Sequence, residues 1–557
     1  MIEIYYMNNE KKIIKDNEEV FIDKNDFNLD EESFKILREF ESSKIFNGYS
    51  VNQLYYYDDI EMYTFYRPGV YSKIKKVVAF INYLMEIEKT YNDKIKIYTD
   101  DYYIKKISDK LFSVKCELVQ IKEKKESNSK IKLLRRAFIG IKNLLKYRMK
   151  SKTDENGFLI ISHATSIVSS KEGLYDYEYG LVMNGIMEKY NVLNLQYLNS
   201  SNAYKNSIKF NTPLFPLEMF ILYKKFKWKK LYDDNKVINR INLINNAVFK
   251  YKGLNILELI LGSENVMKLT CDSYIKEYLC AMRFLEKNKF RKLITVDEGD
   301  RARCFIIAGN KLGIDTYAIQ HGLFNYYSPT YMLIDNNKFM VPKKTFVWGE
   351  YYKEVLVNST AVYSNNNVVA VGQPRSDIIK DKASENLKKN DKIKVLYATQ
   401  YLEDLTKLAT ELIFNAFSKL NLEYELVVKL HPIDPFEDFY YECKEKYKLD
   451  NVVITRDRDL YEILNWCDLV LSVHSTVVLE GAMLNKPSIC VLLEDYNDIG
   501  NYVKDGISLG VNSSEELVKV LQDKLYINNK NIDKIIQSYF HKVDGKVNER
   551  ILKEIQS

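Results

Sequence analysis

The chain lacks the sequence motifs of the commonest nucleotide-dependent enzymes. It has no Gly-rich Walker loop and no G-x-G-x-x-G run after an apolar segment. Its His, Cys and Asp residues do not have the spacing of zinc or iron ligands, and no serine lies in a nucleophile elbow. These absences argue against dinucleotide-dependent oxidation, P-loop ATP hydrolysis and metallohydrolysis. We therefore expect no metal and no cofactor.

Cysteine, proline and glycine are also scarce, with 7 Cys, 9 Pro and 20 Gly in 557 residues. No C-x-x-C pair occurs, and Cys304, Cys467 and Cys490 fall within apolar segments, which is typical of buried reduced thiols in the cytoplasm. The chain has no signal peptide and no apolar run of 18 residues, so we expect a cytoplasmic protein. A formal charge of +6 is modest for this length and argues against a nucleic-acid binder.

Short runs rich in Val, Ile and Leu alternate with helical segments in two parts of the chain, 153–375 and 391–525. This alternation predicts βαβ units, and therefore two Rossmann-like domains, each with a parallel sheet. The segment 371–377 and the polar run 380–391 have the composition of an interdomain connection. The predicted strands lie at 157–162, 192–197, 292–296, 316–319, 393–398, 425–430, 452–455, 469–473 and 488–493.

Three further regions complete the predicted organisation. Residues 1–120 contain a β-α unit of unassigned role, and residues 526–557 form a helical tail. Residues 121–152 hold twelve Lys or Arg and two Glu, with apolar residues at helical spacing, which predicts a basic amphipathic helix. Such a helix suits an anionic membrane surface. The alternative is packing on its own domain with a solvated basic face, a pattern that ordinary surface helices share.

Two acids and a glycine, Asp297-Glu-Gly299, follow the predicted strand at 292–296. A carboxylate at a strand end can accept a proton from an attacking hydroxyl, and Gly299 permits a tight turn close to a ligand. Acids are also favoured in the first turn of a helix by its dipole alone. Asp297 and Glu298 are thus alternative candidates for a general base.

Three of the five histidines end predicted strands, at the sheet edge where open α/β folds bind ligands. His431 precedes Pro432, which fixes the backbone at the strand exit, and its imidazole could donate to a nucleotide phosphate. His321 and Gly322 lie in a loop after another strand. There they could contact substrate or phosphate, and the alternative is a structural histidine in the cleft.

A Ser-Thr pair, Ser475-Thr476, opens the helix predicted after the strand at 469–473. Hydroxyls and backbone N–H groups at a helix start can hold phosphate oxygens, although the same residues could simply cap the helix. Glu480 lies one helical turn deeper on the same face. From there its carboxylate could accept hydrogen bonds from a ribose diol.

Together these motifs resemble those of GT-B glycosyltransferases that build bacterial surface polysaccharides, most clearly over about 290–495. The resemblance implies an α/β, GT-B-like fold, in which two Rossmann-like parallel-sheet domains face each other across a cleft, with an N-terminal extension. The domain at 391–525 would bind a nucleotide-activated donor, and the domain at 153–375 would offer the acceptor. The motifs are Asp297-Glu-Gly299, Gln320-His-Gly322, Gly372-Gln-Pro-Arg-Ser-Asp377, Lys429-Leu-His-Pro432 and Ser475-Thr476 through Asn485-Lys-Pro487.

Two subfamilies match these motifs. Sialyl- and polysialyltransferases share the acid-acid-Gly, His-Pro and Ser/Thr motifs; this implies Asp297 or Glu298 as base and a CMP-linked sugar whose phosphate is held by His431, Ser475 and Thr476. Capsule and CDP-glycerol polymer transferases share the His-Gly loop, the Ser-Thr…Glu helix and the Gly-x-Pro-Arg-x-Asp junction, whose Arg375 we assign to the cleft.

The resemblance therefore implies an inverting, metal-independent glycosyltransferase. It would use a nucleotide-sugar donor and a glycan or lipid-linked acceptor to build a cell-surface polysaccharide. Independently of the resemblance, the basic helix at 121–152 leaves peripheral contact with the membrane open. Three alternatives remain open: a CDP-glycerol-type glycerophosphotransferase, a GT-B sugar-nucleotide epimerase and a non-catalytic subunit of glycan assembly.

Overall fold

The computed structural model does not describe every residue of the chain. The predicted basic helix at 121–152 lies outside the described part, apart from residue 138. In the part that is described, no helix is both long and apolar enough to cross a membrane. The described residues are 2–7, 10–15, 18–19, 29–91, 95–110, 114–118, 138, 157–163, 167–170, 173–176, 178–197, 214–216, 220, 224, 228–377, 392–493, 496–527 and 532–557.

The N-terminal region combines a small sheet with two packed helices. The sheet has the strand order β3-β2-β1-β6-β7, in which β1 pairs antiparallel with β2 and parallel with β6. The β-α unit predicted within residues 1–120 is confirmed as β6 and α3. The elements are β1 (Ile2–Met7), β2 (Glu10–Lys15), β3 (Glu18–Glu19), α1 (Leu29–Ser42), β4 (Tyr55–Tyr57), β5 (Ile60–Glu61), α2 (Tyr63–Tyr91), β6 (Ile95–Thr99), α3 (Tyr102–Ser108) and β7 (Val114–Leu118).

A seven-stranded parallel sheet follows, with the order β12-β11-β8-β16-β17-β18-β19. The strand predicted at 292–296 is confirmed with those bounds, because its buried apolar run is flanked by polar residues. The elements of this region are β8 (Gly157–His163), β9 (Ile167–Ser170), β10 (Gly173–Asp176), α4 (Val182–Lys189), β11 (Asn191–Tyr197), β12 (Leu214–Pro216), β13 (Val237–Asn239), β14 (Lys250–Tyr251), β15 (Leu254–Asn255), α5 (Leu257–Leu261), α6 (Glu264–Asn288), β16 (Lys292–Val296), α7 (Asp300–Lys311), β17 (Asp315–Ile319), β18 (Lys344–Val347), α8 (Glu350–Ser359) and β19 (Val368–Ala370).

A second, six-stranded parallel sheet has the order β22-β21-β20-β23-β24-β25. In both sheets the chain starts in the middle, moves to one edge and then reverses, which is the doubly wound Rossmann order. The elements are β20 (Ile393–Ala398), α9 (Glu403–Ser418), β21 (Tyr424–Lys429), α10 (Glu437–Lys446), β22 (Val452–Thr455), α11 (Leu460–Trp466), β23 (Leu469–Ser472), α12 (Val477–Met483), β24 (Ser488–Val491), β25 (Leu509–Val511) and α13 (Ser514–Gln522).

The C-terminal helices, α14 (Ile532–Phe540) and α15 (Val547–Gln556), return to the first Rossmann sheet. Val547 and Ile551 of α15 are buried in the same core as Phe158 of β8. Asp377, at the end of the segment between the sheets, accepts hydrogen bonds from the backbone N–H groups of Val547 (3.0 Å) and Asn548 (2.9 Å). The connecting segment therefore caps the last helix and ties it to the first domain.

The expected α/β fold with two Rossmann-like parallel sheets and an N-terminal extension is confirmed. The six cysteines whose side chains are described are buried free thiols, in agreement with the positions of Cys304, Cys467 and Cys490 in apolar segments. In a doubly wound sheet, ligands bind outside the carboxyl ends of the strands that flank the reversal. These strands are β8 and β16 in the first sheet and β20 and β23 in the second.

Candidate active site

A cavity of about 470 Å³ lies at the carboxyl edge of the first sheet. Its walls come from the N-terminal helices, from the loops after β16 and β17, and from the C-terminal part of the chain. Four of the residues singled out in the sequence line it, namely Asp297, Gly299, His321 and Gly322. The other lining residues are Asp30, Tyr71, Lys75, Leu323, Phe324, Asn325, Tyr327, Ser328, Pro329, Thr330, Tyr331, Tyr351, Tyr352, Ile499, Gly500, Asn501 and Tyr539.

Asp297 directly follows β16 and has a left-handed backbone with φ +60°. Its N–H donates to the Ile319 carbonyl (2.9 Å), and the Thr295 hydroxyl donates to its carbonyl (2.7 Å). Its Oδ1 accepts a bond of 2.8 Å from the Gly299 N–H. A non-glycine residue in this conformation is strained and must be held by its surroundings, and such strain is concentrated at functional sites. These bonds hold the Asp297 carboxylate at the cavity wall.

Glu298 lies on the other side of the same turn and has no exposed surface. Its carboxylate accepts hydrogen bonds from the Thr345 hydroxyl (2.7 Å) and the Tyr363 hydroxyl (2.6 Å). Burial raises the pKa of Glu298, while the nearby Arg303 guanidinium opposes that rise. Glu298 does not line the cavity, so of the two alternative bases only Asp297 can meet a ligand there.

His321 is paired with a carboxylate that sequence reasoning missed. Its Nδ1 lies 3.1 Å from Oε1 of Glu178, whose side chain is 3% exposed, against 40% for His321. Glu178 precedes α4, and nothing in its local sequence marks it as functional. Gln320 shapes the loop by donating to the Gly322 carbonyl (2.9 Å) and accepting from the Trp348 N–H (2.9 Å). The contact with the buried Glu178 carboxylate therefore orients the His321 ring.

His431 follows β21 in the second domain. Its N–H donates to the Thr399 hydroxyl (3.0 Å), and its carbonyl accepts from Arg456 (2.8 Å). The ring lies 4.9 Å from that of the exposed Tyr401. Burial lowers the pKa of His431; the Asp434 carboxylate opposes this shift, and the positive charges of Lys429 and Arg456 add to it. His431 and the exposed Pro432 are outside the cavity lining.

Ser475 and Thr476 lie between β23 and α12 and are half-buried. The Ser475 hydroxyl accepts a weak bond of 3.3 Å from the Val477 N–H, whereas Thr476 makes no side-chain capping bond. Next to them, His474 Nδ1 lies 2.9 Å from Nε2 of Gln400, which follows β20. The Ser-Thr pair therefore lies at the strand reversal of the second sheet, beside His474.

Glu480 and Arg375 contact each other. Glu480 has no exposed surface, and its Oε1 lies 2.9 Å from Nη2 of Arg375. Burial raises the pKa of Glu480, and the Arg375 guanidinium opposes that rise. The Glu480 carboxylate is buried and paired and does not line the cavity; its contact with a ribose diol and the cleft position of Arg375 stay predictions. Their ion pair joins the connecting segment to α12.

The N-terminal contribution to the cavity was also missed. Asp30 of α1 and Tyr71 and Lys75 of α2 line it together with Asp297 and His321. The sequence carried no signal for this, because residues 1–120 match neither subfamily pattern. Among the described residues, no group of three or more His, Cys, Asp or Glu is arranged to hold a metal ion.

Known proteins resemble parts of this chain. Residues 343–557 match the family described as CDP-Glycerol:Poly(glycerophosphate) glycerophosphotransferase. A teichoic acid poly(ribitol-phosphate) polymerase of Bacillus spizizenii is 24% identical over 242 residues, which cover 37% of this chain and 37% of the relative. The expected resemblance to CDP-glycerol polymer transferases is thus confirmed for the part of the chain that contains Arg375, His431, Ser475, Thr476 and Glu480.

Solved structures give weaker likenesses. A UDP-N-acetylglucosamine 2-epimerase from Listeria monocytogenes has a TM-score of 0.46 at 14% identity and covers 72% of this chain and 96% of its own. MurG of Acinetobacter baumannii has a TM-score of 0.41 at 11% identity and covers 72% and 99%. Likenesses at these TM-scores are too weak to indicate an activity for this chain.

Proposed function

We propose that this chain is a nucleotide-dependent transferase of cell-envelope polymer synthesis, and that it moves a polyol phosphate from a CDP-linked donor to an acceptor hydroxyl. One observation carries the proposal. The matched region, 343–557, contains the candidate phosphate residues His431, Ser475 and Thr476, and it also closes the cavity that Asp297 lines.

The donor's phosphates would lie at the strand reversal of the second sheet. Because burial lowers the pKa of His431, its ring is neutral near pH 7 and acts as a hydrogen-bond donor and not as a fixed charge. The hydroxyls of Ser475 and Thr476 supply further donors. Such preorganised donors stabilise the charge that develops on a leaving phosphate. Side chains supply this stabilisation in our proposal, so we expect transfer to continue in excess EDTA.

Transfer would consist of one displacement. The acceptor oxygen bonds to the phosphorus next to the polyol, the bond from that phosphorus to the CMP oxygen breaks, and CMP leaves with the electron pair. The acceptor proton passes to Asp297, which lines the cavity, and not to the buried Glu298. His321 is the second candidate for this role, because the buried Glu178 orients its ring at the cavity.

The acceptor in this proposal is a glycan or a lipid-linked chain end. Twelve Lys or Arg against two Glu in 121–152 support peripheral contact with an anionic inner membrane surface. Binding of the full chain to vesicles with and without phosphatidylglycerol tests this contact. Equal partition to both vesicle types would argue against it.

A thermal-shift screen with CMP, CDP, UDP and GDP tests the donor, since a ligand that binds only the folded state raises its stability. Incubation with CDP-glycerol or CDP-ribitol and a lipid-linked acceptor then tests transfer, with product mass as the readout. We expect stabilisation by CDP and an acceptor heavier by one polyol phosphate. Stabilisation by UDP alone, or transfer of a sugar from a CMP- or UDP-sugar, would replace this reaction with glycosyl transfer.

A further inference from the structure

The N-terminal helix α2 presents three residues at helical spacing towards the cavity region. Arg67, Tyr71 and Lys75 are four residues apart and so share one helix face. Arg67 is buried, forms an ion pair with Glu41 of α1 and donates through Nη1 to the Pro329 carbonyl in the loop after β17. This anchoring fixes α2 against the cavity loop, and it places Lys75 two turns further along the same face.

Lys75 lines the cavity and is paired with Asp30. Its Nζ lies 2.6 Å from Asp30 Oδ1, and the Tyr71 hydroxyl donates to the same oxygen over 3.0 Å. The Lys75 and Asp30 side chains are 31% and 26% exposed, so a ligand can reach both. Because ion pairs that are partly open to solvent contribute little to stability, Lys75 can exchange Asp30 for another anion at small cost.

The charges of the cavity make this lysine distinctive. Among the described residues that line the cavity, Lys75 is the only Lys or Arg, whereas Asp30 and Asp297 are both acidic. A phosphate that enters beside Asp297 needs a cation nearby. Lys75 is also close enough to His474 of the second domain for its charge to oppose protonation of that ring.

We propose that Lys75 binds a phosphate group of a substrate in this cavity, and that its ammonium exchanges the Asp30 carboxylate for a phosphate oxygen when the substrate enters. The phosphate belongs either to the donor's diphosphate or to the last phosphodiester of a phosphate-linked acceptor chain. The identity of these substrates rests on the proposed function, whereas the anion site rests on the cavity alone.

The test compares Lys75→Ala, Lys75→Arg and Asp30→Asn with the control Lys76→Ala. Lys76 is the neighbouring lysine of α2, but it is exposed and does not line the cavity. CDP-glycerol serves as donor, and two acceptor probes share an octyl tail: octyl phosphoglycerol and the neutral octyl glyceryl ether.

With an acceptor phosphate at Lys75, Lys75→Ala raises the KM for octyl phosphoglycerol by about tenfold or more, because a charged hydrogen bond is lost. The KM for the ether is unchanged. With the donor phosphate at Lys75, the Kd for CDP rises instead. In both cases Lys75→Arg restores most of the binding, and Asp30→Asn tightens it, since the competing carboxylate has been neutralised. A purely structural role for the pair predicts no gain from Asp30→Asn.

If Lys75→Ala binds phosphate as well as Lys76→Ala does, the proposal is overturned. If the unaltered protein fails to transfer from CDP-glycerol, the proposed function fails separately, and inorganic pyrophosphate then replaces the substrates. If pyrophosphate stabilises Lys75→Ala less than Lys76→Ala, the anion site is supported. Equal stabilisation of the two variants would contradict it.

Discussion

Arg375 Nη2 lies 2.9 Å from Oε1 of Glu480, a carboxylate with no exposed surface. Removal of one partner from such a pair leaves an uncompensated buried charge, so we expect Arg375→Met to lower the free energy of unfolding by about 3–5 kcal/mol. Burial raises the pKa of Glu480. The loss should therefore shrink at low pH, where the carboxyl is neutral, and grow as the pH rises through its folded pKa. Urea unfolding at several pH values measures both effects.

Glu480→Gln provides the matched control for this prediction. With a neutral amide at position 480, no buried carboxylate is left without its guanidinium partner. The double variant Arg375→Met/Glu480→Gln should therefore recover part of the lost stability. If the double variant loses as much unfolding free energy as the two single variants together, the two residues do not interact energetically.

Asp297 and Glu298 are adjacent in sequence, but substitution of Asp297 should reduce activity, whereas substitution of Glu298 should reduce stability. Asp297→Asn should reduce transfer by about 10²–10⁴-fold, the range of general base catalysis, and leave thermal stabilisation by CDP intact. Glu298→Gln should instead lower the free energy of unfolding by about 1–3 kcal/mol, because its amide cannot accept both the Thr345 and the Tyr363 hydroxyls. Loss of activity in a fully stable Glu298→Gln protein would reverse this assignment.

Glu178 should act on catalysis through His321. Glu178→Gln leaves the ring without a carboxylate behind it, and misplacement of a reacting group by about 1 Å can cost about a hundredfold in rate. We therefore expect a lower kcat with an unchanged Kd for CDP. Glu188→Gln, at an exposed position on α4, serves as the control. A kcat for Glu178→Gln equal to that of the control would show that His321 needs no orientation.

His474 should make the protein sensitive to mild acid. Burial lowers the pKa of His474 to about 4, whereas the imidazole titrates near 6.5 when unperturbed. Between these values the unfolded chain binds a proton that the folded chain does not. The contribution of His474 to the unfolding free energy is therefore fully present above about pH 6.5 and is lost as the pH drops towards about 4. His474→Gln should flatten this part of the curve. Denaturant unfolding from pH 4 to 8 measures this effect. If the slope of the unfolding free energy against pH is the same in His474→Gln and in the unaltered protein, the prediction is wrong.

Much of the fold was predictable because parallel strands buried on both faces leave continuous apolar runs in the sequence. The bounds of β16, β20 and β22 are those predicted from such runs. The placement of Asp297, His321 and His431 after strands was predictable for the same reason. Each position depends only on residues that are near in the chain.

Tertiary structure alone decided which candidates line the cavity. The sequence by itself determined two Rossmann-like domains and polar residues at their strand ends, since local patterns specify both. Packing then buried Glu298, joined Arg375 to Glu480, paired Glu178 with His321 and brought Lys75 to the cavity. These contacts join residues of different elements, most of them far apart in the chain. No local periodicity or turn motif encodes them, because they arise only when separate elements pack together.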